Sequence, residues 1–112
     1  MRNNQDLARF FKLLSHPTRL DILNVLREGE ACVCHINAVL GQRQAYISQQ
    51  LAALREAGII QDRKDGWNVY YQITDQKIFQ VLDKGNLLLN PSYERNAIIY
   101  QPVSCPCPLC SE

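Results

Sequence analysis

Neither sign of charge dominates this sequence: twelve Lys and Arg stand against eleven Asp and Glu, leaving a formal net charge of +1. Bulk charge therefore cannot hold a polyanion, and any such affinity has to come from local basic groups and from doubling the protein in a dimer. Long apolar runs are missing too. None approaches the ~20 residues of a membrane span, and the opening Met1-Arg2-Asn3-Asn4-Gln5-Asp6 is polar, with no basic-then-apolar leader. A cytoplasmic protein without a membrane partner is expected. No Gly-rich phosphate loop and no paired-carboxylate signature occur, and no Cys-x-x-Cys sits in a strand-to-helix context. The two His residues are not placed near a nucleophile by any motif. An enzyme with a small organic substrate is accordingly not expected. At 112 residues the chain is large enough for one core and too small for two.

Cysteine, by contrast, is plentiful, with five residues. In a reducing compartment these are thiols or metal ligands rather than structural disulfides, and the odd number points the same way. They fall into two groups, Cys32 with Cys34, and Cys105, Cys107 and Cys110 near the end.

Residues 30–73 carry the organisation of the chain. Glu30-Ala31-Cys32-Val33-Cys34-His35-Ile36 leads into a short helix with Cys32, Cys34 and His35 at its start, Ile36, Val39 and Leu40 facing the core, and Gly41 at its end. In the helix that follows, up to Gly58, Ile47, Leu51 and Leu54 recur at i, i+4 and i+7 as one narrow inward stripe. Arg43 starts this helix; Ala45, Ser48, Gln49 and Ala52 lie opposite the stripe, flanked by Gln44 and Tyr46, with no acid before Glu56. Such a surface suits a DNA major groove, because Gln can bond adenine in bidentate fashion and Ala can touch a thymine methyl. The two helices around Gly41 therefore read as a helix-turn-helix with the second as reader. A hairpin follows: Ile59 and Ile60 start a strand, Arg63-Lys64-Asp65-Gly66 supplies a basic tip with an Asp-Gly turn signal, and Trp67 to Ile73 returns with Val69, Tyr71 and Ile73 on one face. This is a wing that sets Arg63 and Lys64 beside phosphates or a minor groove.

Three blocks in this order, Leu13-Leu14-Ser15-His16-Pro17-Thr18-Arg19-Leu20-Asp21-Ile22-Leu23, then Ile47 through Ile60, then Gly66-Trp67-Asn68-Val69-Tyr70-Tyr71, resemble the ArsR/SmtB family of winged-helix metal-sensing repressors. The resemblance covers about residues 6 to 84. It implies a mainly α fold with a β-hairpin wing, a dimer formed through the first and last helices, and operator DNA as partner. Glu30-Ala31-Cys32-Val33-Cys34 resembles the Cys-Val-Cys box of members that sense arsenite, or cadmium and lead. Zinc- and nickel-sensing relatives carry Asp and His ligands on the last helix; here only Asp75 of such a set is visible, and no His follows His35. The reader helix departs from the family, with Arg43 where a small hydroxyl residue often stands and Gln50 where His is common.

Before this stretch, Leu7, Phe10, Phe11 and Leu14 form the stripe of a first helix capped by Asn4 or Asp6. Pro17 suits the first turn of a second helix, apolar nearly all round through Leu20, Ile22, Leu23, Val25 and Leu26, with Gly29 as its stop and His16 leading into it. After the wing, Thr74 or Asp75 caps a helix carrying Ile78, Phe79, Val81 and Leu82, with Gly85 as stop or break. Residues 1–85 read as the winged helix-turn-helix domain and 86–112 as a C-terminal extension with a Cys-rich tail. In that extension Leu87-Leu88-Leu89 and Ala97-Ile98-Ile99-Tyr100 are apolar, and Cys105-Pro106-Cys107-Pro108-Leu109-Cys110 resembles a soft-metal claw, stiffened by two prolines.

Residues two apart on a helix point about 200° apart, so Cys32 and Cys34 grip one ion only if the first turn is unwound or extended. That spacing suggests a switch in which metal capture re-aims the reader helix. Arsenite takes three thiolates, and cadmium and lead three or four, as the resemblance implies. The missing sulfur comes from the tail, or the tail forms a separate site. The function expected is a homodimeric repressor released from its operator by arsenite, cadmium or lead. The alternatives are a redox- or persulfide-sensing repressor of the same fold and a thiol enzyme or metal carrier using the tail.

Overall fold

The computed structural model describes residues 3–94. In chain order these form α1 (Asn3–Leu14), α2 (Pro17–Leu26), β1 (Ala31–Cys32), α3 (Val33–Leu40), α4 (Gln44–Glu56), β2 (Ile60–Asp65), β3 (Asn68–Ile73) and α5 (Ile78–Leu89). The mainly α winged helix-turn-helix architecture is the one expected. Its sheet carries one strand more than the hairpin, because β1 pairs antiparallel with β3 and gives the order β1-β3-β2.

Pro17 stands in the first turn of α2, after an extended His16. That helix is enclosed on several sides, with Ile22, Leu23 and Leu26 essentially without solvent contact. Against it the α4 stripe of Ile47, Leu51 and Leu54 is completely buried, in one core with Ile36 of α3 and Ile60 of β2. Each such side chain contributes roughly 1.5–3 kcal/mol on leaving water, so α2 is the scaffold that fixes where α4 points. Between α3 and α4 the chain turns at Gly41, whose φ of 66° is left-handed and whose N–H donates to the Asn37 carbonyl at 2.8 Å. Glycine takes that conformation without the steric cost borne by other residues.

In the hairpin, Asp65 pairs with Asn68, which leaves Gly66-Trp67 as a two-residue turn with Gly66 at φ 63°. Tyr71 and Ile73 of β3 face the main core as expected. The opposite face of β3 is covered as well, because Tyr70 is buried in a second cluster with Cys32 and Cys34.

Several local expectations need correction. Asn4 and Asp6 lie inside α1 rather than ahead of it, and Asp6 accepts a hydrogen bond from Arg9 one turn later. Thr74 does not cap α5; its hydroxyl donates back to the carbonyls of Gly58 and Ile59, while Asp75 accepts the Lys77 N–H at 2.9 Å and closes the turn before the helix. That backbone N–H, followed by the Lys77 charge, holds the Asp75 carboxyl below its usual range. Gly85 is not a stop either, since α5 runs on to Leu89. One interior glycine costs a helix only about 1 kcal/mol, and the buried Ile78 and Phe79 anchor this one. The boundary drawn after residue 85 thus falls within a helix.

The end of α2 is tied to α5. Arg27 donates to both carboxylate oxygens of Asp83 at 3.0 Å, with its guanidinium 4.4 Å from the centre of the Phe79 ring. Tyr93 donates to the same carboxylate at 3.2 Å, which fastens the segment after α5. Leu7 and Phe11 of α1 and Val81, Leu87, Leu88 and Leu89 of α5 remain exposed. Among the described residues no helix is long and apolar enough to cross a membrane.

Candidate nucleic-acid interface and cysteine pair

The outer face of α4 consists of the side chains its sequence pattern turned outward. Arg43 stands just ahead of the helix with extended backbone, and Gln44, Ala45, Ser48 and Gln49 are exposed. Tyr46 is half-buried, its ring 6.2 Å from that of His16, beside a shallow hollow that it lines with Thr18, Gln42 and Arg43. Gln50 points the other way. It is buried, and its amide oxygen accepts from Nε of Arg19 at 2.8 Å, while another Arg19 nitrogen donates to the Leu13 carbonyl at 3.0 Å. One arginine thereby holds α1, α2 and α4 in fixed relation, and the outer amides of α4 ride on that frame. No acidic residue lies in the first turn of α4, so nothing there repels a phosphate.

On the wing, Lys64 is exposed beside the turn, and Trp67 at the tip is fully exposed. Arg63 lies on the same strand but is already engaged. Its Nε and Nη2 donate to the two carboxylate oxygens of Glu30 at 2.7 and 2.6 Å, and its guanidinium lies 4.7 Å from the centre of the Tyr70 ring. The hydrogen bonds from Arg63 lower the Glu30 pKa, and the same bonds raise that of Arg63.

The cysteine pair straddles a strand-to-helix junction. Cys32 is the last residue of β1, opposite Tyr70 of β3, and its backbone is extended at φ −82°, ψ 162°. It also caps α3, since its sulfur accepts the His35 N–H at 3.3 Å. Cys34 lies in the first turn of α3, half-buried, and packs against the cluster of Cys32 and Tyr70. The expectation that both residues stand on a helix is therefore corrected: the 200° separation does not apply, because the chain changes from strand to helix between them. An N–H aimed at the Cys32 sulfur from a helix N-terminus favours negative charge there. Among the described residues no three His, Cys, Asp or Glu side chains group as an ion site. Cys105, Cys107 and Cys110 lie outside the described residues.

Glu30 and Tyr70 were not singled out by sequence reasoning. An acid next to the cysteine box and a basic wing were both visible, but the register that joins them, Cys32 to Tyr70 to Arg63 across three strands, exists only once the sheet has formed.

Residues 16–62 match the bacterial regulatory protein, arsR family. The chain is 39% identical over 87 residues to the cadmium resistance transcriptional regulatory protein CadC homolog of Staphylococcus aureus, covering 77% of this chain and 72% of that one. It is 38% identical over 107 residues to an arsenic resistance transcriptional regulator of Pseudomonas putida, covering 85% of this chain and 84% of the relative. Among solved structures, the transcriptional repressor BigR of Xylella fastidiosa superposes with a TM-score of 0.69 at 35% identity, over 80% of this chain and 89% of that one. The helix-turn-helix, the wing and these likenesses agree, and the chain belongs to the arsR family of winged-helix, DNA-binding transcriptional repressors, not to the enzymes.

Proposed function

We propose that this chain is a homodimeric repressor that leaves its operator when arsenite, cadmium or lead is captured by Cys32 and Cys34 together with one or two of Cys105, Cys107 and Cys110. One observation carries the reading: the sulfur pair sits at the β1-to-α3 junction, and α3 leads through the Gly41 turn straight into α4. Cys32 is 1% exposed and packed on Tyr70. An ion closing on its sulfur has to draw it off that ring, and the movement passes along α3, only eight residues long, to the helix that reads DNA. Thiolate ligands select soft ions, and the relatives named for cadmium and arsenic resistance support that class.

Arg43, Gln44, Ala45, Tyr46, Ser48 and Gln49 then face the major groove, and Arg63 and Lys64 meet phosphates from the wing. The exposed apolar side chains of α1 and α5 support a dimer through those helices. The tail supplies the further sulfur. From Tyr93, held on Asp83, the chain can extend roughly 40 Å to Cys105 at ~3.3 Å per residue, close to the 42 Å longest dimension of the described body. Reduced thiols of this kind belong in the cytoplasm.

Gel-shift titrations with the DNA upstream of its own coding sequence test the proposal. Cys32→Ser and Cys34→Ser proteins are expected to bind that DNA and to ignore cadmium and arsenite, and full metal response in the double variant would end the reading. Replacing Cys105, Cys107 and Cys110 together with Ser is expected to weaken the response without touching DNA binding.

The packing of both cysteines in one cluster with Tyr70 favours a second reading. Two thiols so placed can close to a disulfide, giving two electrons and two protons to a peroxide. Loss of two titratable thiols with operator release, in a protein that cadmium leaves on its DNA, would select this reading over the first.

A further inference from the structure

Arg63 reaches its partners through the register of the sheet. Tyr70 stands opposite Cys32 on one side and opposite Arg63 on the other. Directly opposed residues of antiparallel strands share a face, so Cys32, Tyr70 and Arg63 form one row across the three strands. Glu30, just ahead of β1, meets Arg63 with both carboxylate oxygens, at 2.6 and 2.7 Å. The guanidinium fork is matched edge to edge with a carboxylate, the same geometry with which it would grip a phosphate. Half of the Arg63 side chain is still open to solvent, at 49%, against 21% for Glu30. A phosphate approaching this part of the wing therefore meets a neutral pair rather than a cation.

We infer that Glu30 is a built-in competitor of DNA for Arg63: the wing arginine reaches a phosphate only by giving up the Glu30 carboxylate, so Glu30 sets operator affinity and its salt dependence. The inference rests on the reading that Arg63 contacts DNA. When Arg63 turns to a phosphate, Glu30 is left as an unpaired carboxylate close to the nucleic acid and draws a cation from solution. That uptake offsets part of the counterion release that drives binding. Glu30 is thus a positioning residue that acts through Arg63 and touches no DNA itself.

Anisotropy titrations of a labelled duplex from its own upstream DNA, over a series of potassium chloride concentrations, test this. Glu30→Gln is expected to bind roughly two- to fivefold tighter per protomer at low salt, with a log–log salt slope steeper by up to about one. Glu30→Asp keeps the charge and is expected to stay near the wild type. Arg63→Gln is expected to bind more weakly, with a slope shallower only by what the Glu30→Gln gain leaves of one ion per protomer, so that the two slope changes sum to about one. The gain from Glu30→Gln must shrink in the Arg63→Gln background by the part that runs through Arg63, whereas a merely structural effect would persist there undiminished. If Arg63→Gln weakens binding but Glu30→Gln does not tighten it, the competitor role is overturned and the Arg63 contact stands. If Arg63→Gln binds like the wild type, the contact and the competitor role both fall.

Discussion

Glu30 and Gln50 are the residues whose neighbours in sequence say least about what they do. Glu30 looks like a solvated acid beside the cysteine box, yet it is held by both hydrogen bonds of an arginine in the wing. Because those bonds lower its pKa, the native state binds fewer protons than the unfolded chain in acid. Its stabilising contribution is therefore complete above the ordinary carboxylate range and is lost as pH falls through the lowered native value. Thermal melts of wild type and Glu30→Gln are expected to differ by a small, constant margin around neutral pH and to converge in acid; a margin that grows on acidification would contradict the pairing. Gln50 stands out in sequence only as a departure from the family, whereas the fold buries it against Arg19, 31 positions away. Gln50→Ala removes an acceptor that a half-buried guanidinium depends on and is expected to lower stability by about 1–2 kcal/mol in urea denaturation. Neither partner was legible, because pairing at such separations follows from topology rather than from pattern.

The elements divide in the same way. The stripe of Ile47, Leu51 and Leu54 fixes α4 from sequence alone, since helical period and burial coincide at all three positions. Two-residue β1 could not be read. Its residues take the extended path because Tyr70 and Tyr71, nearly forty positions on, offer them a ladder, and a helix start was the local reading in its absence. Gly41 was legible as a turn and proves to be left-handed at φ 66°, with open space where a Cβ would lie. Gly41→Ala is thus expected to cost about 1–2 kcal/mol by backbone strain alone, and Gly41→Asn less; equal stability of the alanine variant in urea would contradict the left-handed turn. The tie between α2 and α5 makes a further test. The Arg27 side chain is only 7% exposed, with Asp83 at 28%, so Arg27→Leu takes the cationic partner from a partly buried carboxylate that keeps the Tyr93 hydroxyl, and is expected to lower stability by about 1–3 kcal/mol, read by the urea midpoint.

For the whole molecule, near-zero net charge and exposed apolar side chains on α1 and α5 point to one arrangement. In the proposed dimer a protein at +1 would gain affinity for DNA by presenting two reader helices at once, and Leu7, Phe11, Val81 and Leu87 are where a second copy would cover apolar surface. Phe11→Glu is expected to shift sedimentation equilibrium toward monomer and to weaken operator binding together; a dimer of undiminished strength would place the two-fold elsewhere. The family and the winged helix were legible as whole blocks of sequence. The strand-to-helix junction between Cys32 and Cys34, where the proposed coupling would start, was not, because a strand that short leaves no periodic trace.

In the proposed mechanism, ion capture at the β1-to-α3 junction and loss of DNA are one event. Titrating cadmium into the protein on a labelled operator, while following anisotropy and the ultraviolet sulfur-to-metal band in the same sample, measures both. Band and release are expected to saturate together, at one ion per protomer, and the Cys32→Ser/Cys34→Ser protein is expected to show neither at that stoichiometry while staying on its DNA. A band that reaches its full height while the protein remains on the operator would contradict it.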